Sequence, residues 1–559
     1  FNGEIYNYRE LRRELQDRGH RFATDSDTEV LVHGWEEWGT ACVDRLRGMF
    51  AFAVFDGRRQ ELLLVRDRFG IKPLYFAGLP DGWLAFGSEL KALLALPAVP
   101  RTMDAAAVEN YLALGYVPDS GTIYGGVTKL PPGHFALFRP GKETRLTRYW
   151  TPAAQRTAVI RPADAEEELR DRLGETVEAH LMSEVPLGAF LSGGIDSSAI
   201  VAMMASRSAH PVTTCAIGFD DPDHDETAHA DIVARRFATR HHQRTVAAAS
   251  FTLLDTLANC FDEPFGDSSA LPTWQVCALA RENVVVALSG DGGDELFWGY
   301  LRYRWHADGL RRRRLIPPAL AAAGAAALPA RTGPGGRIRK TLEALSQDPL
   351  TAYYRSVAVI DDATRRRLYR PEFRHRLGGH RAIDVVRRHY EEAPTDHPVG
   401  RVQYVDLMTN LPEDLLTKVD RVSMAHGLEV RVPFLDHHLA EWAFGLPPDL
   451  KLRGAVGKYV LKKALEPVLP KALLHRRKQG FGVPLDAWFR GPLRDRVRTS
   501  LLGPVLSDAG IFDPAAIAGM IDDHQGGRAD HGTVLWSLLM FDAFLRVVHE
   551  SAPTDLAAV

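Results

Sequence analysis

Two short runs of serine, glycine and aspartate carry the residue types needed to hold a triphosphate. The first, SGGIDSS at 192–198, follows an apolar stretch and opens an amphipathic one, so it reads as a strand, a turn and the start of a helix. There the backbone N–H groups around Gly193 and Gly194 and the positive end of a helix dipole face one point, which suits a phosphate. Glycines let the backbone approach closely, and Ser192, Ser197 and Ser198 add hydroxyl donors. Asp196 would repel a phosphate directly, so its natural use is to hold a bridging Mg2+. An ordinary strand-to-helix connection has the same outline, and this run alone does not separate the two.

The second run, VVVALSGDGGDELFWGY at 284–300, again ends an apolar stretch in Ser289 and Gly290, then presents Asp291, Asp294 and Glu295. Several carboxylates beside phosphate-cradling glycines repel one another unless a cation joins them. A metal–nucleotide site resolves that conflict. Acids decorating a helix N-terminus would account for one or two carboxylates, but not for the paired Ser-Gly turns. No GxxxxGK[ST] occurs, and GAVGKY at 454–459 has the wrong spacing, so the pattern is not a kinase-type P-loop. A departing pyrophosphate also needs protein cations, for which Lys458, Arg477 and Lys478 are candidates.

SGGIDSS resembles the pyrophosphate loop of the ATP pyrophosphatase superfamily, whose members split ATP into AMP and pyrophosphate. LSGDGGDELFWGY resembles the LSGDGGDELFGGY segment of asparagine synthetases, with Trp298 where that family usually has Gly; lying beyond the acids, this departure is expected to alter packing or access rather than chemistry. DLLTKVDRVSMAHGLEVRVPFLD (414–436) and GKYVLKKALEPVLPKALLHRRKQGFGVPL (457–485) are similar to signatures of the same family. The resemblance implies ATP and pyrophosphate contacts at Leu191, Ser192, Gly193, Gly194, Asp196, Ser197, Ser198, Ser289 and Gly290, with the Ile217 backbone facing adenine. It also implies Mg2+ on Asp196 and Asp294, a catalytic Asp294, and a Lys458 that stabilises the adenylation transition state. Asp291 and Glu295 would face the acceptor and ammonia, and DEPFGDSSALPT (262–273) would lie beside the acyl-accepting substrate. Outside such motifs, Lys458 would be read as a solvated helix lysine and Ile217 as a core residue.

At the other end, FNGEIYNYRELRREL (1–15) and ATDSDTEVL (23–31) resemble the glutamine-hydrolysing domain of class II amidotransferases, an N-terminal-nucleophile fold of stacked sheets between helices. That resemblance implies an oxyanion hole from Asn2 and Gly3, and glutamine held by Asn2, Gly3, Glu4 and Asp27. An Asn side chain and a Gly N–H do supply donors for a developing oxyanion, although an isolated Asn-Gly is also an ordinary turn. The family's nucleophile is a cysteine at the mature amino terminus, with its own α-amine as base. This sequence begins at Phe1, and Cys42 lies in a helix-like stretch. The expectation is therefore a segment missing before Phe1, and a chain limited to free ammonia as it stands.

The elements that must position these residues fall into two regions. In the opening third, the apolar runs at 49–56, 61–67 and 83–89 alternate with Gly- and Asp-containing turns and read as antiparallel sheet, with helices at 8–19 and 27–39. A proline-containing polar stretch then leads into a helix expected near Ala165. Beyond it, strand runs at 186–193, 212–219 and 284–290 alternate with long helical stretches, the pattern of a parallel sheet wrapped by helices, and the last part is mainly helical. The division is 1–150 for a partial αββα amidotransferase domain, 151–164 for a linker, and 165–550 for an ATP-pyrophosphatase (adenine nucleotide α-hydrolase-like) domain: an α/β and α+β multidomain chain. The Arg-, Ala- and Gly-biased stretch at 311–340 could touch nucleic acid but reads as a solvated insertion.

A length of 559 residues favours two or more domains, and 45% hydrophobic with 25% charged residues is ordinary globular composition. A net charge of −3 gives no global argument for nucleic acid or an anionic membrane. Four widely spaced cysteines, no uninterrupted apolar run of eighteen and no signal peptide place the expectation in the cytoplasm. Small molecules are then the partners (aspartate, glutamine or ammonia, and ATP with Mg2+), without nucleic acid or membrane, and a homodimer is left open. The expected reaction is ATP-dependent conversion of aspartate to asparagine through β-aspartyl-AMP. The alternatives are a relative acting on another carboxylate, as in β-lactam synthetases and peptide- or sugar-modifying amidotransferases, and a non-catalytic scaffold that keeps the fold.

Overall fold

The computed structural model describes residues 1–152, 159–219, 221, 225–246, 252–328, 334–476 and 482–550. Strict alternation builds the first sheet. In the strand Gly48–Asp56, Phe50 and Phe52 point to one face while Ala51 and Ala53 point to the other. Glu61–Arg66 and His134–Phe138 repeat the pattern with Leu63, Val65, Phe135 and Leu137 against Leu62, Leu64, Ala136 and Phe138. A period of two makes a sheet with two buried faces. The order is Asn2–Ile5, Gly48–Asp56, Glu61–Arg66, His134–Phe138, Arg145–Arg148, all neighbours antiparallel.

One face packs on the helices Tyr8–Asp17 and Asp27–Trp38 through Leu11, Leu15, Val30, Leu31 and Trp35. The other meets a three-stranded sheet (Leu84–Gly87, Tyr75–Gly78, Thr128–Lys129) through Leu74, Phe76, Leu84 and Leu130. The far side of that second sheet, with Tyr75, Ala77 and Ala85, packs on Leu90–Leu94 and Ala105–Leu114. The layers are thus helix, sheet, sheet, helix. The last helical layer shares a core with the second half of the chain: Tyr111 stacks on Phe541, and its hydroxyl donates to the Ser537 carbonyl at 2.7 Å.

The second sheet system is parallel, ordered Arg240–Val246, Thr213–Phe219, Leu187–Phe190, Val286–Leu288, Glu429–Arg431. From Leu187–Phe190 the next two strands in sequence are laid to one side and the last two to the other. The chain therefore reverses direction across the sheet between Leu187–Phe190 and Val286–Leu288. Ligands of open parallel sheets bind at such a switch point, beyond the carboxyl ends of the strands.

The helix expected near Ala165 begins at Pro162, a position where the missing N–H is no loss. The stretch at 311–340 is largely helical where described: Leu301–Arg313 runs into it, a turn follows at 314–317, and Pro318–Ala327 packs on Pro334–Ser346 with Ala321 and Ala325 buried. Gly532–His549 is long and apolar enough to cross a membrane, with mean hydropathy 1.3, yet 78% of it is buried. Its Trp536, Phe541 and Phe544 are core residues.

Candidate active site

The two Ser-Gly runs occupy the switch point. After Leu187–Phe190 the backbone passes buried Leu191, turns through Gly193 at φ +71°, and enters the helix Ile195–Arg207 with Gly194 as its N-cap. A Cβ on Gly193 would lie 2.6 Å from backbone atoms of His229 and Ala230, so only glycine fits. Ser192 and Ser197 hydroxyls meet at 3.1 Å, and the Gly194 N–H donates to Ser192 Oγ at 3.3 Å. Ser198 is fully buried one position further in. Ile217 is buried in the strand Thr213–Phe219; pairing with Leu187–Phe190 stops at Cys215, so Ile217 stands past the end of that ladder.

After Val286–Leu288, Ser289 caps Asp291 with its hydroxyl, Gly292 takes φ +92°, and the short helix Gly293–Phe297 follows. Glycine allows this loop to lie directly on the first. A Cβ on Gly290 would sit 2.7 Å from the Ser197 nitrogen, and one on Gly293 would sit 2.4 Å from Asp196 Oδ1. Gly290→Ala must push the two loops apart, an overpacking that typically costs about 1–3 kcal/mol. The expected outcome is a lower urea midpoint together with weaker calorimetric binding of ATP; unchanged values in both would show that the loops do not need their contact.

Lys458 joins the loops from a third direction. Its ammonium contacts Asp196 and lies 2.7 Å from Asp294 Oδ1. The residue is 5% exposed and sits at φ +54°, where its N–H donates to the Phe297 carbonyl and it caps the helix Tyr459–Leu465. Burial alone would lower its pKa, but Asp196 and Asp294 outweigh burial and raise it, so the side chain stays an ammonium. Gly299 leaves room for the pair: a Cβ there would lie 1.9 Å from Asp294 Oδ1 and 2.1 Å from Lys458 Cε. Arg477 and Lys478 lie outside the described residues.

Beyond the acids, Glu295 is buried, its carboxyl pushed up to about 7 by burial and by neighbouring Asp294, and it accepts a hydrogen bond from Tyr300 at 2.6 Å. Burial also raises Asp291. Trp298 adopts φ +55°, ψ +51°, a left-handed conformation that glycine takes freely, which accounts for the usual residue there. Its buried indole stacks on His397 at 5.3 Å and lies 5.3 Å from Lys451 Nζ.

A further group was not singled out in the sequence. Lys418 donates to Asp267 at 2.6 Å and to Ser269 at 2.7 Å, and the Asp414 carboxyl, held by Asn410 at 2.9 Å, is pushed up by burial and by Asp267. Asp291 is near enough to Lys418 for the two to influence each other's charge. Asp267, Ser269, Asp414 and Lys418 lie inside the segments 262–273 and 414–436, but nothing in their spacing marks them as neighbours.

On the amidotransferase side, Gly3 sits at φ +140°, and a Cβ there would be 2.0 Å from the Met49 carbonyl oxygen. Asn2 Nδ2 lies 3.5 Å from Ser88 Oγ. Asp27 accepts the Ile5 N–H at 3.0 Å, which holds it against the strand that carries Asn2, Gly3 and Glu4. Glu4 pairs with Arg431 of the parallel sheet at 3.1 Å; burial outweighs that arginine and pushes its carboxyl up to about 7. The four cysteines are buried and unpaired, and burial pushes Cys42, Cys215 and Cys260 up to about 12 and Cys277 in the same direction. A thiol reagent at pH 8 is expected to find no fast-reacting cysteine in the folded chain and four after unfolding; one rapid thiol in the folded chain would contradict this burial.

Further ion pairs cross between the halves: Arg47 with Asp436 at 2.6 Å, Lys72 with Asp420 at 2.8 Å, and Lys129 with Glu413 at 2.9 Å. Two cavities lie along this seam, one lined by Tyr6, Asp67, His180 and Asp436, the other by Tyr75, Lys129, Glu263 and Glu413.

The asparagine synthase family model matches residues 168–546, and a glutamine amidotransferase domain model matches 1–150. A Mycobacterium tuberculosis protein, provisionally named a glutamine-hydrolysing asparagine synthetase, is 38% identical over 97% of this chain and 83% of its own length. Glutamine-hydrolysing asparagine synthetase 1 of Bacillus subtilis is 33% identical over 97% of this chain and 84% of its own. A relative with a different name, amidase chry2 of Gibberella zeae, is 27% identical over 83% of this chain and 74% of its own. With both family models matched in order, and the two Ser-Gly loops meeting at the switch point, the chain belongs to the asparagine synthetase family of glutamine-dependent, ATP-using carbon–nitrogen ligases.

Proposed function

We propose that this chain makes asparagine from aspartate, ATP and ammonia through β-aspartyl-AMP. The observation that carries the reading is Lys458, buried between Asp196 and Asp294 where the two Ser-Gly loops touch. The triphosphate would lie along Ser192, Gly193, Gly194, Ser197, Ser198, Ser289 and Gly290, with adenine against Ile217 and Leu191. Asp196 and Asp294 suit a divalent cation, because they are carboxylates set beside the two phosphate-cradling loops. Mg2+ held there would neutralise charge on the leaving pyrophosphate.

The side-chain carboxylate of the acid attacks the α-phosphorus, the α–β bridging bond breaks, and pyrophosphate leaves with its electron pair. Lys458 would meet the charge that develops in this step, in a buried setting where such a contact acts strongly. Ammonia then adds to the acyl carbon and loses a proton as AMP departs, leaving the amide. Asp291 and Glu295 face this second step, and buried Glu295, with its raised pKa, can hold a proton near neutrality. Lys418, Asp267 and Asp414 form the polar group that would receive the amino acid's own amine and carboxylate. Asn2 and Gly3 would furnish an oxyanion hole on the glutamine side, with Glu4 and Asp27 holding glutamine.

The relative named as an amidase favours a second reading, in which the same activation serves another carboxylate. ATP–pyrophosphate exchange separates the two. Stimulation by aspartate, with asparagine as the product when ammonia is added, is the expected result; exchange driven only by a different acid would overturn the assignment of substrate.

A further inference from the structure

His20, His33 and Glu36 meet in the amidotransferase half, and none of them is among the residues assigned above to glutamine or the nucleotide. His33 and Glu36 are one turn apart on the helix Asp27–Trp38, and His20 lies in the connection that leaves Tyr8–Asp17. The two Nδ1 atoms are 3.2 Å apart, Glu36 Oε2 is 3.0 Å from His33 Nδ1, and it is 3.7 Å from His20 Nδ1. Three ligands at tetrahedral angles around Zn2+, with bonds near 2.05 Å, stand about 3.3 Å from one another. Among the described residues this is the one triad of metal-ligating side chains so arranged.

The outer nitrogens sharpen the case. His20 Nε2 faces Glu37 Oε2 at 3.2 Å, and His33 Nε2 faces Glu29 Oε1 at 3.5 Å. Both carboxylates are fixed: Glu37 by Arg18 at 2.9 Å, and Glu29 by the Ala23 and Thr24 N–H groups at 2.7 Å each. A carboxylate only accepts, so each ring should carry its hydrogen on Nε2. With the hydrogens so placed, the two Nδ1 atoms and the Glu36 carboxylate converge as three acceptors. Moving either hydrogen to Nδ1 leaves a bare Nε2 facing a carboxylate instead. A cation at the meeting point, either a metal ion or a second proton on one ring, removes the conflict, and the outer carboxylates are the partners that orient and strengthen histidine ligands in zinc sites.

The geometry points to a Zn2+-class site formed by His20 Nδ1, His33 Nδ1 and Glu36, with a fourth position open to water. Two imidazoles and one carboxylate select a borderline transition metal over Mg2+. Bound metal would pin the exit of the first helix to the second helix, whose opening residue Asp27 holds the Asn2–Ile5 strand through the Ile5 N–H.

The test uses the full chain stripped with a chelator and titrated with ZnCl2 by calorimetry, with Co2+ absorption as a second readout. One Zn2+ per chain is expected, with a rise in melting temperature on binding. The His20→Asn/His33→Asn pair should lose that binding event, and Glu36→Gln, at the most exposed of the three positions, serves as the variant least prone to misfold. Glu37→Gln touches no ligand atom and should weaken the affinity by about 10–100-fold through His20. Equal zinc binding in the wild-type and double-variant chains, or none at micromolar metal, would overturn the site. So would ring NMR signals showing both histidines protonated and undisturbed by added Zn2+.

Discussion

Lys458→Met is expected to reduce acid-dependent ATP–pyrophosphate exchange by at least about 100-fold, the range seen when a donor to a developing charge is removed from a closed site. Lys458 contacts both Asp196 and Asp294, and methionine keeps much of its length while removing the charge. The two half-buried carboxylates would then lose the ammonium between them. Removing the cation from such an ion group also destabilises the fold, so the variant's unfolding must be measured beside its rate. The informative pattern is exchange lost while ATP still binds and the fold persists. Lys458→Arg should rescue poorly, because the end of the side chain is closely enclosed: a single Cβ on Gly299 would already lie 2.1 Å from Lys458 Cε. Near wild-type exchange in Lys458→Met would remove the central support for the proposed chemistry.

Lys129→Met is expected to destabilise the chain by about 3–5 kcal/mol, read in urea unfolding. Lys129 belongs to the three-stranded sheet of the amidotransferase half, yet its ammonium donates to Glu413 at 2.9 Å, lies 3.5 Å from Glu263, and donates to the Val117 carbonyl at 2.6 Å. Arg66 lies 3.6 Å from Glu413 and is a partial substitute at best. The pH dependence is specific. Burial raises the Glu263 carboxyl above its ordinary 4.5, with Lys129 pulling the other way. Without Lys129 the folded-state pKa climbs further, so the folded chain binds a proton that the unfolded chain has already released. The group then contributes most below 4.5, and that contribution is lost as pH rises through its folded-state pKa. The deficit of Lys129→Met should therefore shrink on acidification, and Lys129→Met/Glu413→Gln should be less destabilised than the two single changes summed. A deficit independent of pH would mean that lost packing, not charge, dominates.

Local structure was legible where it is governed by period and turn chemistry. The strands at 48–56, 61–66 and 213–219 follow their apolar runs to within a residue or two, because alternation or a short apolar run bounded by Gly admits few other solutions. The same holds for the helices Tyr8–Asp17 and Asp27–Trp38. The helix start at Pro162 was displaced by three residues, since a proline at the first helical position carries no apolar signal. A boundary at 150 describes the backbone better than the packing, because one hydrophobic cluster joins Tyr75, Val108 and Tyr111 to Phe512, Trp536 and Phe541 across it.

The sequence by itself determined the chemistry on offer: Ser-Gly turns for phosphate, aspartates that demand a cation, glycines where backbone must come close, and a resemblance that orders them. Those are properties of residue type and short spacing. That Asp196, Asp294 and Lys458 form one group was decided only by the tertiary structure, since Lys458 lies 262 residues from Asp196. The order of the parallel sheet sets Leu187–Phe190 beside Val286–Leu288, so the loops that follow them emerge at one edge. Lys418 against Asp267, Glu4 against Arg431, and His20 beside His33 arise in the same way. Each is a meeting of side chains whose positions are fixed by the packing of whole elements, and short-range spacing carries no record of which elements become neighbours.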